Sequence, residues 1–355
     1  MAPRPHPLPD ALGSEFSRAS AHAHGVGDHR LRRLDLERPF RGVRRRRGVG
    51  GRLGARSGGA DEPHPAEIWR DRQRESARAY STIMLEHQFF VGITAALVRR
   101  LPVPAPRELW RPWDRDATAR LLDPSDPDHP VNRIEIGVFA PGRAPNRTRV
   151  RGVKIQPHLA KICEHDGLRM LDAASLWATL GPRLDLPDRV ALGDAIIRIP
   201  RIGGNLGPPP RRAYATLDQL VAVAAVKGRI GRSKLLEALP LLREGMASAA
   251  ESHLRLAIAD AGLPEPELDY DVHTDGGMYL GTTEFVYPQF RLAVEYEGDH
   301  HRTETGQWNR DIDKQAAYRD AGWETIRVTA EKLYRRRPAL IAEIRAALIR
   351  RGWRP

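Results

Sequence analysis

The chain has 355 residues, 41% of them hydrophobic, a net charge of +12 and an isoelectric point near 10.3. That length allows two or three domains, and no run nears the roughly 20 apolar residues of a membrane span, the best being 220–226. Cys163 is the only cysteine, which excludes an internal disulfide framework and a multi-cysteine zinc site.

Only six of the 57 basic residues are lysine. Arginine's planar fork suits phosphate, so nucleic acid is the first partner to consider, although a GC-rich genome also inflates arginine. Residues 1–10 are proline-rich with no apolar core after them, so no signal peptide is expected and a reducing cytoplasm fits best.

Residues 1–47 read as a mainly helical unit. A helix is expected over 16–23 with Ser17 as its cap, then a turn at Gly25, Val26 and Gly27. A second helix, capped by Asp28, is expected over 29–36, with Leu31 and Leu34 facing inward. Phe40 and Arg41 lead into Arg44, Arg45, Arg46 and Arg47. Helix, glycine turn, helix and basic arm form the layout of a winged helix-turn-helix that binds DNA. In that layout His29, Arg30, Arg32 and Arg33 face a groove, while Arg41, Arg44 and Arg45 meet phosphates. The alternative is a structural helical pair with a solvated charge run.

Residues 48–68 are rich in glycine, arginine and proline and read as a flexible basic linker. The middle region, 69–235, mixes α and β. Helices are expected over 69–85 and 89–101, and a β-hairpin from strands 133–139 and 147–155. Arg147, Arg149 and Arg151 line the outer face of that hairpin, as a phosphate-contacting stripe or a solvated one. Further helices are expected over 172–180, 186–198, 217–226 and 233–242. The region holds no phosphate-cradling glycine loop, nucleophile elbow or zinc-binding histidine pair.

Residues 236–355 carry the readable chemistry. A helix over 246–261 buries Ala250, Leu254, Ala257 and Ile258, with Glu251 at the edge of the stripe, aimed at the sheet or paired with Arg255. Strands follow over 268–273, 278–287 and 291–297. On the last, Ala293, Glu295 and Glu297 share one face and Leu292, Val294 and Tyr296 the other. With Glu284 on the neighbouring strand, Glu295 and Glu297 make a carboxylate cluster. Like charges held that close repel unless they share a proton or a cation, and hard oxygens suit Mg²⁺ or Mn²⁺. Gly298 would turn His300 and His301 back toward the acids, and Arg310 and Lys314 follow on a helix over 307–321. The alternative is a solvated strand end. A strand over 323–328 and a helix over 338–351 complete an α-β-β-β-α-β order, an α/β domain with a mixed sheet flanked by helices.

Several dispersed pieces share one resemblance: Glu251 within 250–256, Glu284 within 284–288, Glu295 to His301 within 294–301, Arg310 within 307–312, and 321–329. Together they resemble the relatives of very-short-patch-repair (Vsr-like) endonucleases in the PD-(D/E)XK nuclease superfamily. The amino-terminal unit resembles the winged-helix domain of AbiEi-type antitoxins. The resemblance implies a restriction-endonuclease-like fold and Mg²⁺-dependent phosphodiester hydrolysis. By position Glu284 and Glu295 become the metal ligands, Glu251 the supporting acid, and Glu297 part of the catalytic set. Glu284 stands where aspartate is usual and Glu297 where the superfamily name expects lysine. The missing positive charge then comes from His300, His301, Lys314 or Arg310, with His300 as acid/base because imidazole titrates near neutrality. The other expectation is an inactive DNA-binding regulator of type IV toxin–antitoxin kind, whose toxin is a separate chain. Oligomeric state is unread.

Overall fold

The computed structural model of the chain describes residues 7–47, 64–106, 129–205, 207–297 and 314–355. The chain divides into two compact units, Met1–Leu180 and Gly181–Pro355. Among the described residues no helix is long and apolar enough to cross a membrane.

The first unit opens with β1 (Glu15–Ser17), α1 (Arg18–Ala23), α2 (Asp28–Leu31), β2 (Leu36–Glu37) and β3 (Val43–Arg46). The three strands form an antiparallel sheet in the order β1-β3-β2. Ser17 caps α1 as expected, accepting from the Ser20 amide at 2.9 Å. The second helix is shorter than the pattern predicts. Arg44 Nε donates to the Leu31 carbonyl at 2.7 Å, the Arg30 guanidinium closes on Asp35, and the chain turns into β2. Leu36 rather than Leu34 therefore joins Leu12, Phe16, Ala21 and Leu31 in the small core, and Leu34 is 85% exposed.

The same unit continues with α3 (Pro65–Ser81), β4 (Gln88–Phe90), α4 (Gly92–Val98), β5 (Ile134–Phe139), β6 (Asn146–Arg147), β7 (Val150–Ile155), β8 (Ile162–His165), β9 (Leu168–Leu171) and α5 (Ala173–Leu180). Its six strands take the order β6-β7-β5-β4-β9-β8. Two expectations need correction. β5 and β7 run parallel, from Ile134 beside Val150 to Phe139 beside Ile155, so they are not a hairpin. The connection between them supplies β6, which pairs antiparallel with the far side of β7. Residues 88–90, assigned partly to a helix, form a central strand because Phe89 and Phe90 are fully buried between β5 and β9. The β8–β9 hairpin turns on Asp166 and Gly167, both with positive φ, a signal present in the sequence as Asp-Gly.

The second unit contains α6 (Leu186–Ile197), α7 (Leu217–Ala225), α8 (Arg232–Ala238), α9 (Ala249–Asp260), β10 (Glu267–His273), β11 (Tyr279–Tyr287), β12 (Leu292–Glu297), α10 over 314–320, β13 (Glu324–Thr329), α11 (Ala330–Arg335) and α12 (Arg337–Arg350). The α-β-β-β-α-β order is the expected one. Its mixed sheet runs β10-β11-β12-β13, antiparallel until β13, which lies parallel to β12. Phe285, Leu292, Val294 and Val328 pack one face against Leu254, Ile258 and Ile344. On the other, Val272, Val286 and Ala293 meet Tyr318 of α10.

The boundary expected near residue 235 falls inside this unit. Asp194 of α6 is fully buried, and its carboxylate accepts from Ser252 Oγ at 2.8 Å, Arg255 at 3.0 Å and the Arg243 amide at 2.7 Å. Burial raises the Asp194 pKa while Arg255 opposes the shift. Removing α6 would strand a buried guanidinium on α9.

Candidate active site

β11 carries Glu284 and β12 carries Glu295, and α10 packs on the sheet face of Val286 and Ala293. The register of β10 with β11 passes over Asp269 and Glu284 without a shift. Leu268 pairs with Phe285 and Tyr270 with Thr283, while Asp269 between them takes a φ of 49°. Thr283 and Val286, three apart, both reach Tyr318. Arg201 holds the strained Asp269 by donating to its carbonyl and, at 2.8 Å, to its carboxylate. The same guanidinium reaches Asp271, whose carboxyl its hydrogen bonds hold down at a pKa of about 2.

Glu295 Oε1 accepts from Thr283 Oγ1 at 2.9 Å and from the Lys314 ammonium. Lys314 also donates to the Thr282 carbonyl at 2.7 Å and lies 5.2 Å from the Tyr318 ring centre. Thr283 spends its proton on Glu295, so the Tyr318 hydroxyl, 2.9 Å away, donates to Thr283. Tyr318 and Thr283 are fully buried, which makes this a fixed line of donors ending on one oxygen of Glu295.

Glu284 is the unusual group. Its Oε2 is shut away from solvent and has no hydrogen-bond partner among the described residues. Burial pushes its pKa up to about 8, the charges of Glu295 and Glu251 add to the rise, and Lys314 opposes it. An orphaned carboxylate oxygen near two further acids is chemically incomplete, and a proton or a cation completes it.

The other expected residues divide. Glu251 does not extend as a supporting acid, nor does it pair with Arg255. Its Oε2 accepts from the Ala247 amide at 2.7 Å and its Oε1 from Ser248 Oγ at 2.9 Å, so it closes the amino end of its own helix. Only its charge reaches Glu284. Glu297 is joined to Arg327 of β13 in an ion pair. Lys314, assigned to DNA, is turned inward onto Glu295. His300 and Arg310 lie outside the described residues, as does His301.

Arg44 and Arg45 are also turned inward. Arg44 bonds the carbonyls of Leu31 and Val43, and Arg45 bonds Glu15 and Glu75. These guanidiniums, half-buried, are engaged with protein groups that hold the small sheet together. Arg30 is half-buried against Asp35 and Arg33 is half-buried, whereas Arg32 and Arg41 are exposed. Thr283 and Tyr318 escaped the sequence reading. The signals for them were the hydroxyl next to Glu284 and the tyrosine one helical turn after Lys314.

Among the described residues, no group of three or more histidine, cysteine, aspartate or glutamate side chains is placed to hold a metal ion. Glu284, Glu295 and Glu251 therefore do not converge as a three-acid metal site. Glu284 offers an oxygen with no partner, and Glu295 accepts through Oε1 alone among the described contacts. Glu251 has both oxygens committed.

The class these observations define is a mixed α/β protein whose sheets are flanked by helices. Two uncharacterized proteins of Mycobacterium tuberculosis, one from each of two strains, are 32% identical to it over 170 residues. That stretch covers 41% of this chain and 62% of each relative, so the chain spans less than two thirds of the length of these curated relatives. No family model and no solved structure matches the chain.

Proposed function

We propose that the second unit is a divalent-cation-dependent endonuclease of restriction-endonuclease-like fold, and that the helix pair and small sheet of the first unit form a winged helix that holds DNA. The observation carrying the first part is the buried, unpartnered oxygen of Glu284 beside Glu295. Glu284 and Glu295 would hold Mg²⁺ or Mn²⁺, which supplies polarisation of a phosphate and a lowered pKa for bound water. The chain's own groups do the rest. Thr283 and Tyr318 fix the Glu295 carboxylate, and Lys314 keeps a positive charge beside it. That ammonium takes over the charge that position 297 lacks, since Glu297 is an acid paired with Arg327. For the winged helix, the support is the β1-β3-β2 strand order around two short helices, with Arg32 and Arg41 exposed.

A second reading is favoured by the same ammonium. Lys314 neutralises Glu295, and Glu251 is used up by its helix end. A chain fixed in that state is a DNA-binding regulator with an inactive nuclease-like unit and, in the antitoxin form, a separate toxin chain as partner. Incubating the protein with plasmid DNA and Mg²⁺ or Mn²⁺ separates the two. The endonuclease cuts and Glu295→Ala abolishes cutting. The regulator binds with a steep salt dependence and leaves the plasmid whole.

A further inference from the structure

Several arginines of the second unit are closed onto its own acids. Arg243 pairs with Glu265, Arg291 with Asp275, Arg327 with Glu297 and Arg350 with Glu324. The run from Tyr334 to Arg337 departs from this. Arg335, Arg336 and Arg337 are all exposed, and Arg335 and Arg336 make no side-chain hydrogen bond or ion pair with any described residue. Tyr334, beside them, leaves 50% of its surface in solvent.

That ring is not loose. Its hydroxyl lies 3.0 Å from His253 Nδ1, and the two rings meet edge to face at 5.8 Å and 82°. On its far side, His253 Nε2 is 3.2 Å from Asp188 Oδ1. Tyr334 is thus held through its hydroxyl by His253 of α9, with half of its surface left in solvent. An aromatic face already held in one orientation loses little freedom when something stacks on it. Guanidiniums without an internal partner are available to phosphate oxygens, where their fork binds bidentately.

We propose that the run Tyr334–Arg337 is a platform for single-stranded nucleic acid, with a base stacked on Tyr334 and the backbone held by Arg335 and Arg336. Single strand is the occupant because a ring can stack on a base only when that base has left its duplex neighbours. The platform leaves the same end of the sheet as the acids. β12 and β13 run parallel and pair Glu297 with Thr329 at their ends, and α11 starts at the next residue, capped by Thr329. From Thr329 to Tyr334 is roughly 8 Å of helix axis. The use of the platform to feed a strand to Glu284 and Glu295 rests on the endonuclease reading, whereas the binding itself does not.

Fluorescence anisotropy of the full chain with a labelled oligothymidylate of roughly 16 nucleotides, in EDTA and over a series of salt concentrations, tests it. Tyr334→Ala is expected to weaken binding by about 5- to 160-fold, the range for loss of one stacked base. The double variant Arg335→Gln, Arg336→Gln is expected to flatten the logarithmic salt slope by about 1.4, two phosphate contacts' worth on a single strand. Circular dichroism melting of both variants must match the parent, and the two exposed arginine positions keep the test valid even if Tyr334→Ala melts early. Unchanged affinity and salt slope in the arginine variant, or tighter binding of the matching duplex than of the single strand, overturns the proposal. Because EDTA removes any cation, a chain that binds through this run but never cuts with Mg²⁺ refutes the endonuclease reading alone. A chain that cuts while both variants bind normally refutes the platform alone.

Discussion

At the scale of the residue, Glu284 concentrates the physics of the site. Its folded pKa of about 8 lies above the ordinary 4.5, so the native state keeps a proton that the unfolded chain gives up. Stability from this group is full below pH 4.5 and declines as pH rises toward 8. Glu284→Gln is therefore expected to raise the Tm by several degrees at pH 8 in EDTA, with little gain at pH 4.5. A pH series of thermal melts checks this, and equal gain at both ends would mean that the folded carboxyl does not hold its proton above the ordinary carboxylate range. The position of Glu284 and Glu295 on neighbouring strands was legible in the sequence, because strand alternation is a local property. The orphaned oxygen was not, since which atoms find partners depends on groups far away in the chain.

At the scale of the element, the helix pair near the amino terminus shows how a tertiary bond decides a boundary. Leu31 and Leu34 are equivalent in the apolar pattern, yet Leu31 is buried and Leu34 is 85% exposed. Leu31→Ala is expected to cost about 2–5 kcal/mol, while Leu34→Lys should stay within about 0.5 kcal/mol of the parent. Urea unfolding of the two variants side by side measures the difference, and similar costs would restore the longer helix. The same lesson holds for Gln88–Phe90, a strand because β5 and β9 are available on either side. It holds again for Glu251, whose carboxylate serves Ala247 and Ser248 rather than the sheet. The serine cap at Ser248 can be read locally, but the charge that Glu251 exerts on Glu284 cannot.

At the scale of the whole molecule, the division at Leu180 and Gly181 makes a direct prediction. A fragment of residues 181–355 keeps Asp194 beside Ser252 and Arg255 and is expected to melt cooperatively. A fragment of residues 236–355 leaves Arg255 buried without its acid, a loss of about 3–5 kcal/mol, and should fail to give a cooperative transition. Differential scanning calorimetry of both fragments distinguishes the two boundaries, and a sharp transition in the shorter one would return the boundary to residue 235. By itself the sequence determined the basic charge, the α-β-β-β-α-β order of the last unit and the acids on adjacent strands, because composition and short-range periodicity are written along the chain. Only the tertiary structure decided that β5 and β7 run parallel, that Lys314 faces Glu295, and that Arg44 and Arg45 turn inward. These outcomes depend on which distant backbone or charged group lies within about 3 Å, a distance that local pattern does not encode.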